Sequence, residues 1–230
     1  GVFLVGDTEI GAFDHLTVEI AETLAATAEA ALDRAEQSQT LREQQRESKI
    51  QAQRLEQVHR INNKIRRIVR TLVTADSREE ITQQVCDALT ALETFDLVWI
   101  GEPDLSVNEI HVSAQSGSTS QYLESIPLDL DTENQQPSVR SIQRRETISE
   151  PNLATAPYDQ EWRNKALLFD FRSVISVPLV HNEILYGALT IYSRQPSNFD
   201  ALSESVLSEL GELVAYALNS VNQRNALLRD

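Results

Sequence analysis

The side chains able to do chemistry are few and scattered. The four histidines, His15, His59, His111 and His181, fall at separations that give neither a metal-ligating pair on one helix face nor a nucleophile–base–acid series. His181 stands in a polar His-Asn-Glu stretch and reads as a solvated turn residue. The single cysteine, Cys86, permits no internal disulfide and no thiolate cluster. It falls in the apolar phase of Ile81–Leu92, where a packed thiol is expected rather than a reactive one. No glycine-rich phosphate loop is present. Catalysis is therefore not expected, and no metal site or cofactor is assigned.

The composition around these residues narrows the function further. A chain of 230 residues with 41% hydrophobic content can hold one or two cored domains. The formal net charge of −15 disfavours direct contact with nucleic acid or an anionic membrane. Lysine is confined to Lys49, Lys64 and Lys165, while arginine is common and acids abound. That bias suits a salt-rich cytoplasm, where carboxylates keep a surface hydrated. No apolar run is long enough to span a bilayer and the start does not read as a signal peptide, so a cytoplasmic chain is expected.

The elements that must position any site are organised around Arg172–Tyr192. Ser173–Val180 and Ile184–Tyr192 are β-branched, apolar runs separated by His181-Asn182-Glu183. Runs this short also fit buried helix segments; the turn residues and Gly187 favour a hairpin. Pro178 cannot donate to a ladder, which puts the first strand at an edge or at a bulge. A polar loop then leads to Asp200, the expected N-cap of a helix over Asp200–Leu228. The same strand–loop–helix grammar occurs at the start: Gly1–Val5 aligns with Gly187–Ile191, and Phe13-Asp14 with Phe199-Asp200 at the same offset. Residues 1–35 thus read as the last strand and helix of a preceding module, 36–54 as a helical linker, and 55–226 as a second, complete module.

From Asp14 to Gly101 there is no Gly or Pro. Residues 14–74 read as a long helix, broken at most once and about 90 Å long if continuous. Within it Leu55, Val58, Asn62, Ile65, Val69 and Leu72 recur at spacings of three and four, a candidate homodimer seam in which Asn62 would set register. The alternative is that this face packs on the module's own sheet. Ser77–Glu80 is a capping box opening a helix over Arg78–Glu93. Leu97–Gly101, Glu109–Gln115 and Thr147–Ser149 read as strands, and Ile126–Leu130 alternates like a short one. Pro137–Arg145 reads as a helix, and Asn152–Asp170 as a loop with a short helix.

The order helix, sheet, loops, hairpin, helix, carrying Arg172-Ser173-Val174, Val177-Pro178-Leu179 and Leu185-Tyr186-Gly187-Ala188-Leu189, resembles a GAF domain over about Leu55–Arg224. Ile65-Arg66, Leu72-Val73, Ser77–Ile81, Val85-Cys86 and Trp99–Glu102 are similar to the GAF region of haloarchaeal bacterio-opsin activator-like regulators. The resemblance implies an α+β fold: a central antiparallel sheet with the N- and C-terminal helices packed on one face, preceded by the long linker helix. It implies loops and short helices over the other face, able to enclose a small molecule. Trp99, His111, Tyr122, Trp162, Phe169 and Phe171 are the candidates to line that space; the alternative is that these aromatics simply fill it.

Other activities of the family fit poorly. Free methionine sulfoxide reductases need two cysteines, and a bilin would need a pocket cysteine. The cyclic-nucleotide motif has Asn164-Lys165 and Phe169 here, but Ser173 and Val174 where its acids belong. His59 is followed by Arg60 where a phospho-accepting kinase histidine has an acid. The expectation is a non-enzymatic sensor module of a multidomain transcription regulator, relaying a small-molecule, redox- or light-linked state through coiled-coil-like helices. A ligand-free dimerisation spacer and the sensory domain of a histidine kinase are the alternatives. The expected partners are a second copy of the chain and an unidentified small molecule.

Overall fold

The computed structural model describes residues 2, 4, 6, 15–72, 75–117, 120–130, 136–155 and 161–227, without the side chains of 15–17, 57, 58, 60–62, 64–72 and 120. The chain divides into two units, Gly1–Glu56 and Gln57–Asp230, and helix α1 (His15–Leu72) contributes to each.

In the first unit α1 runs unbroken, as the absence of Gly and Pro predicts. Ile20, Leu24, Leu32, Leu41, Ile50 and Leu55 are all exposed. Local bonds support the helix: Thr23 Oγ1 donates to Glu19 O at 2.8 Å, and Gln39 Nε2 donates to Glu43 Oε1 at 3.1 Å. Such contacts contribute only tenths of a kcal/mol each (about 0.2–0.5), so this segment is the solvated helix that its composition implies. The strand expected over residues 1–6 is not formed at Val2, Leu4 or Gly6, and Val2 and Leu4 are exposed.

The second unit continues through α2 (Arg78–Thr90), β1 (Leu97–Asp104), β2 (Glu109–Gly117), α3 (Ser120–Ser125), α4 (Pro137–Arg144), β3 (Ile148–Glu150), α5 (Glu161–Leu168), β4 (Ser173–His181), β5 (Ile184–Ser193) and α6 (Ala201–Leu227). The strands form one antiparallel sheet in the order β2-β1-β5-β4-β3. The fold is the α+β arrangement expected. The short strand expected over Ile126–Leu130 reduces to one bridge, Glu109 to Asp129. Beside it Ile110 N donates to Leu128 O and Leu130 N to Asn108 O, which covers part of the β2 edge.

Both helix starts are fixed by the residues that announced them. Glu80 N donates to Ser77 Oγ at 3.1 Å, and Glu80 Oε2 reaches back to Asp76 N at 3.0 Å. Ser203 N donates to Asp200 Oδ1 at 2.9 Å. The hairpin turns at Asn182 and Glu183, both left-handed (φ 48° and 65°), as a tight two-residue connection requires. Pro178 lies beyond Ser176, the last β4 residue that β3 reaches, and next to the register shift at Leu179/Val180. Both the local edge and the bulge anticipated for it are present.

Alternation then divides the sheet into two faces. Val98, Ile100, Ile175, Val177, Leu189 and Ile191 join Ile81, Val85, Cys86, Leu210 and Leu218 in the core beneath α2 and α6. Close packing there depends on Gly211, where an added Cβ would lie 2.6 Å from Val177 Cγ1. Leu97, Trp99, Val174, Ala188 and Tyr192 face the opposite way, into a second core covered by α3, α4 and α5.

Candidate ligand-binding site

The second, outer face holds the candidate site, and its floor is a row across three strands. Trp99 of β1 is in register with Thr190 of β5, which is in register with Ser176 of β4. The Ser176 and Thr190 hydroxyls are fully buried and 2.9 Å apart. Keeping Thr190 and Tyr192 on this face while Tyr186 points to the other requires an extra residue in β5, which the register shift opposite Leu179/Val180 supplies. Tyr186 is that extra residue, and Gly187 beside it has φ +146°, where a Cβ would lie 2.3 Å from Gly101 O. Only glycine permits this approach.

Above the floor stand the aromatic side chains. Tyr122 of α3 meets Phe169, Phe171 and Tyr192 edge-on at ring centroid distances of 5.6, 5.3 and 5.1 Å. Phe171 and Tyr192 lie 4.9 Å apart. The Tyr122 hydroxyl is 3.3 Å from Trp162 O and 3.2 Å from the Tyr192 hydroxyl. Each phenol has one proton and a carbonyl only accepts, so satisfying both contacts has Tyr192 donating to Tyr122 and Tyr122 donating to Trp162 O. Burial pushes both phenols well above their ordinary range, so they stay protonated.

Buried polar groups with no protein partner among the described residues include the Trp99 and Trp162 indole N–H groups and, on α4, the hydroxyls of Ser138 and Ser141 and the Nε–H of Arg140. The formal charges nearby are already matched. Arg140 Nη1 pairs with Glu150 at 2.9 Å, and Lys165 binds Glu161 at 2.7 Å as well as the Ser125 carbonyl. The unpartnered groups are thus two indoles and two hydroxyls, which are uncharged, and one N–H of the Arg140 guanidinium, whose charge Glu150 matches.

Of the six residues anticipated here, Trp99, Tyr122, Trp162 and Phe171 are buried in one cluster, with Phe169 packed at its margin. His111 is not among them: it is exposed, and it shares a register position with Glu102, whose carboxylate pairs with Arg78 on the α2 side. A bulge between Ile100 and Gly101 shifts the phase of the β1–β2 ladder and turns His111 to that side. Tyr192, Ser138, Ser141, Ser176 and Thr190 were not anticipated. Period-two alternation from Ala188 would have flagged Thr190 and Tyr192, whereas nothing in the α4 sequence marks its serines as buried. Leu55 of the anticipated seam is exposed, and the side chains of Val58, Asn62, Ile65, Val69 and Leu72 lie outside the described residues. Among the described residues no group of three His, Cys, Asp or Glu side chains is placed to hold a metal. None of the described helices is long and apolar enough to cross a membrane.

On the helical face a polar clamp ties the end of α6 to the start of α2. Arg78 donates to Glu102 Oε2 at 2.7 Å and Asn222 Oδ1 at 3.2 Å, and it lies 5.9 Å over the Tyr186 ring. The Tyr186 hydroxyl donates to Asn219 Oδ1 at 2.9 Å, and Arg224 Nη2 donates to Ala75 O at 2.8 Å. Cys86 lies on this side, and burial drives its thiol far up, so it is held protonated.

Comparison with known proteins agrees with this geometry. Over 60 residues the chain is 42% identical to the anaerobic nitric oxide reductase transcription regulator NorR of Aeromonas hydrophila, a match covering 26% of this chain and 11% of that protein. It therefore spans about a tenth of that relative. Among solved structures, free methionine-R-sulfoxide reductase from Neisseria meningitidis in complex with its substrate superposes with a TM-score of 0.59 at 15% identity, over 70% of this chain and 89% of that one. The domain of a two-component sensor histidine kinase protein from Sinorhizobium meliloti 1021 gives 0.55 at 15% identity, over 68% of this chain and all (100%) of that one. At these identities the structural likeness establishes the fold alone. The GAF domain model matches residues 75–219, the whole of the sheet and its covering helices up to Asn219 of α6, and the chain belongs to the GAF domain family.

Proposed function

We propose that this chain is a signal-sensing module of a multidomain transcription regulator, with a small uncharged molecule as its input at the outer face. The observation that carries the reading is the set of four unpartnered polar groups, Trp99 Nε1, Trp162 Nε1, Ser138 Oγ and Ser141 Oγ. Left dry and unbonded, each costs about 1–3 kcal/mol, a sum comparable with the whole stability of a domain. A guest offering acceptors to the indoles and a donor or acceptor to the serines removes that cost. A charged guest would be buried against groups that carry no countercharge.

The output runs through helices. A guest that favours one packing of the outer layer biases β5, and β5 carries Tyr186 into the clamp on α6. In this proposal the chain pairs in parallel along the seam from Leu55 to Leu72, with Asn62 fixing the register, and residues 1–35 end a preceding module. The acidic, lysine-poor surface fits a regulator of the haloarchaeal bacterio-opsin activator-like kind working in the cytoplasm. The module is not an enzyme in this reading: Cys86, its one thiol, is packed on the far side of the sheet from the aromatic cluster. Tight ring packing around Tyr122 favours a second reading, a ligand-free dimerisation spacer. A kinase sensory domain has the same fold-level support, through the Sinorhizobium likeness.

Native mass spectrometry of the protein purified from its own host decides between input and spacer. The expected result is a neutral small molecule that leaves on denaturation and is lost from Trp99→Phe. No bound mass, together with unchanged output from Trp162→Ala in the full-length regulator, overturns the sensor reading.

A further inference from the structure

Beside α6, away from the aromatic cluster, the turn between α4 and β3, the end of β4 and one side of α6 enclose a cleft of about 350 Å³. Its floor is Val177, Pro178 and Val180. Arg145 stands on one wall, held in place by donating Nη1 to Glu183 O at 2.9 Å, with its other N–H groups not used in that bond. Glu212 of α6 stands on another wall and makes no hydrogen bond or ion pair among the described residues. Between the two walls the Thr147 and Ser208 hydroxyls are 2.8 Å apart. One guanidinium and one carboxylate thus share a cleft without pairing to each other, over an apolar floor and beside hydroxyls that can donate or accept.

We infer that this cleft binds a small zwitterion of the amino-acid class, its carboxylate on Arg145 and its ammonium on Glu212. A simple anion would gain from Arg145 but meet repulsion from Glu212, and a simple cation the reverse. Only a molecule carrying both charges is complementary to both walls. The walls are exposed, so each ion pair is partly screened and the affinity is weak, with a dissociation constant on the order of millimolar. The site bears on function through its placement. Arg145 belongs to the turn that leads into the edge strand β3 and Glu212 to the middle of α6, so a bound zwitterion holds that helix against the sheet by a route separate from the outer-face site.

The test is a ¹H–¹⁵N titration of the intact chain with L-alanine, acetate and methylammonium as probes, following the Asn182 side-chain amide and Arg145 Nε–H. L-alanine is expected to shift both signals saturably, with acetate and methylammonium at least about fivefold weaker. Arg145→Gln and Glu212→Gln are each expected to weaken L-alanine about fivefold or more. Glu212→Gln removes no bond within the protein, so its result stands even if Arg145→Gln disturbs the turn. The inference is overturned if L-alanine gives no shift up to about 0.1 M. It is equally overturned if acetate binds as well as L-alanine and Glu212→Gln strengthens it, which would make this a plain anion site.

Discussion

The contact between Gly187 and Gly101 is the point on which the outer-face site is most exposed to a single substitution. In Gly187→Ala the new Cβ would lie 2.3 Å from Gly101 O and 3.2 Å from Gly101 C, on a residue whose φ is +146°. The atom it meets is backbone of the neighbouring strand, so no rotamer change relieves the overlap. Either β1 and β5 separate by close to an ångström at the Gly101–Ala188 step, or φ moves out of a region essentially reserved for glycine. The backbone strain is worth about 1–3 kcal/mol, and forcing an extra methyl into a packed contact costs about 1–3 kcal/mol more. The expected loss is therefore about 2–6 kcal/mol, a large share of a stability of about 5–15 kcal/mol. Urea unfolding with an unchanged m-value measures it. Near-UV circular dichroism should change with it, because the approach of Gly187 to Gly101 seats β5 against β1, where Thr190 and Tyr192 pair with Trp99 and Leu97. A loss below about 1 kcal/mol with an intact near-UV spectrum would refute the claim that this approach seats β5 against β1.

Two further predictions concern the buried titratable groups and the clamp. The ordinary values are 9.0 for Cys86 and 10.0 for Tyr122 and Tyr192, and burial raises all three in the folded chain. Above pH 9, and more steeply above 10, the unfolded chain releases protons that the folded chain keeps, so the unfolded state binds fewer and stability falls as pH rises. Each group contributes up to about 1.4 kcal/mol per pH unit. Tyr192→Phe should flatten the alkaline slope by that share; a slope parallel to wild type would show that this phenol is not shielded. In the clamp, Arg78→Gln should cost about 1–2 kcal/mol and raise hydrogen exchange in the 219–227 amides of α6 while leaving 207–218 protected. Uniform exchange along α6 would show that the clamp does not act locally.

Most of the fold was legible because local grammar and tertiary packing agree in this chain. Ser77 and Asp200 announced their helices and cap them, and the His181–Glu183 stretch turns where its residues permit left-handed backbone. The aromatic cluster could be anticipated in part, since large rings on alternating strands and short helices must find cover. What could not be read is what depends on register across strands. His111 looked like a member of the outer face until the bulge at Ile100/Gly101 placed it beside Glu102. The serines of α4 escaped notice because a short polar helix reads as solvated, yet α4 carries Val139 and Ile142 into the outer core and takes Ser138 and Ser141 with them. Arg78 was visible only as part of a capping box, and its reach to Glu102 and Asn222 is set by tertiary packing.

The two proposed inputs differ in chemistry because they differ in solvent access, and both bear on α6. The outer face is buried and rich in rings, so in this proposal it selects a neutral guest and holds it firmly, but it touches α6 only through the sheet. The strand that connects them is β5. Its Tyr192 meets Tyr122 on one face, and its Tyr186 holds Asn219 on the other at 2.9 Å. A shift of β5 is therefore felt at both ends without any contact between the guest and the helix. The cleft at Arg145 and Glu212 is wet and charged, so it binds weakly, but one of its walls is α6 itself. Strong binding at a distance and weak binding in direct contact can bias the same helix by comparable amounts, because only the difference in affinity between the two helix positions enters the coupling. Proximity to α6 and tightness of binding are thus poor guides, taken singly, to which site governs the output.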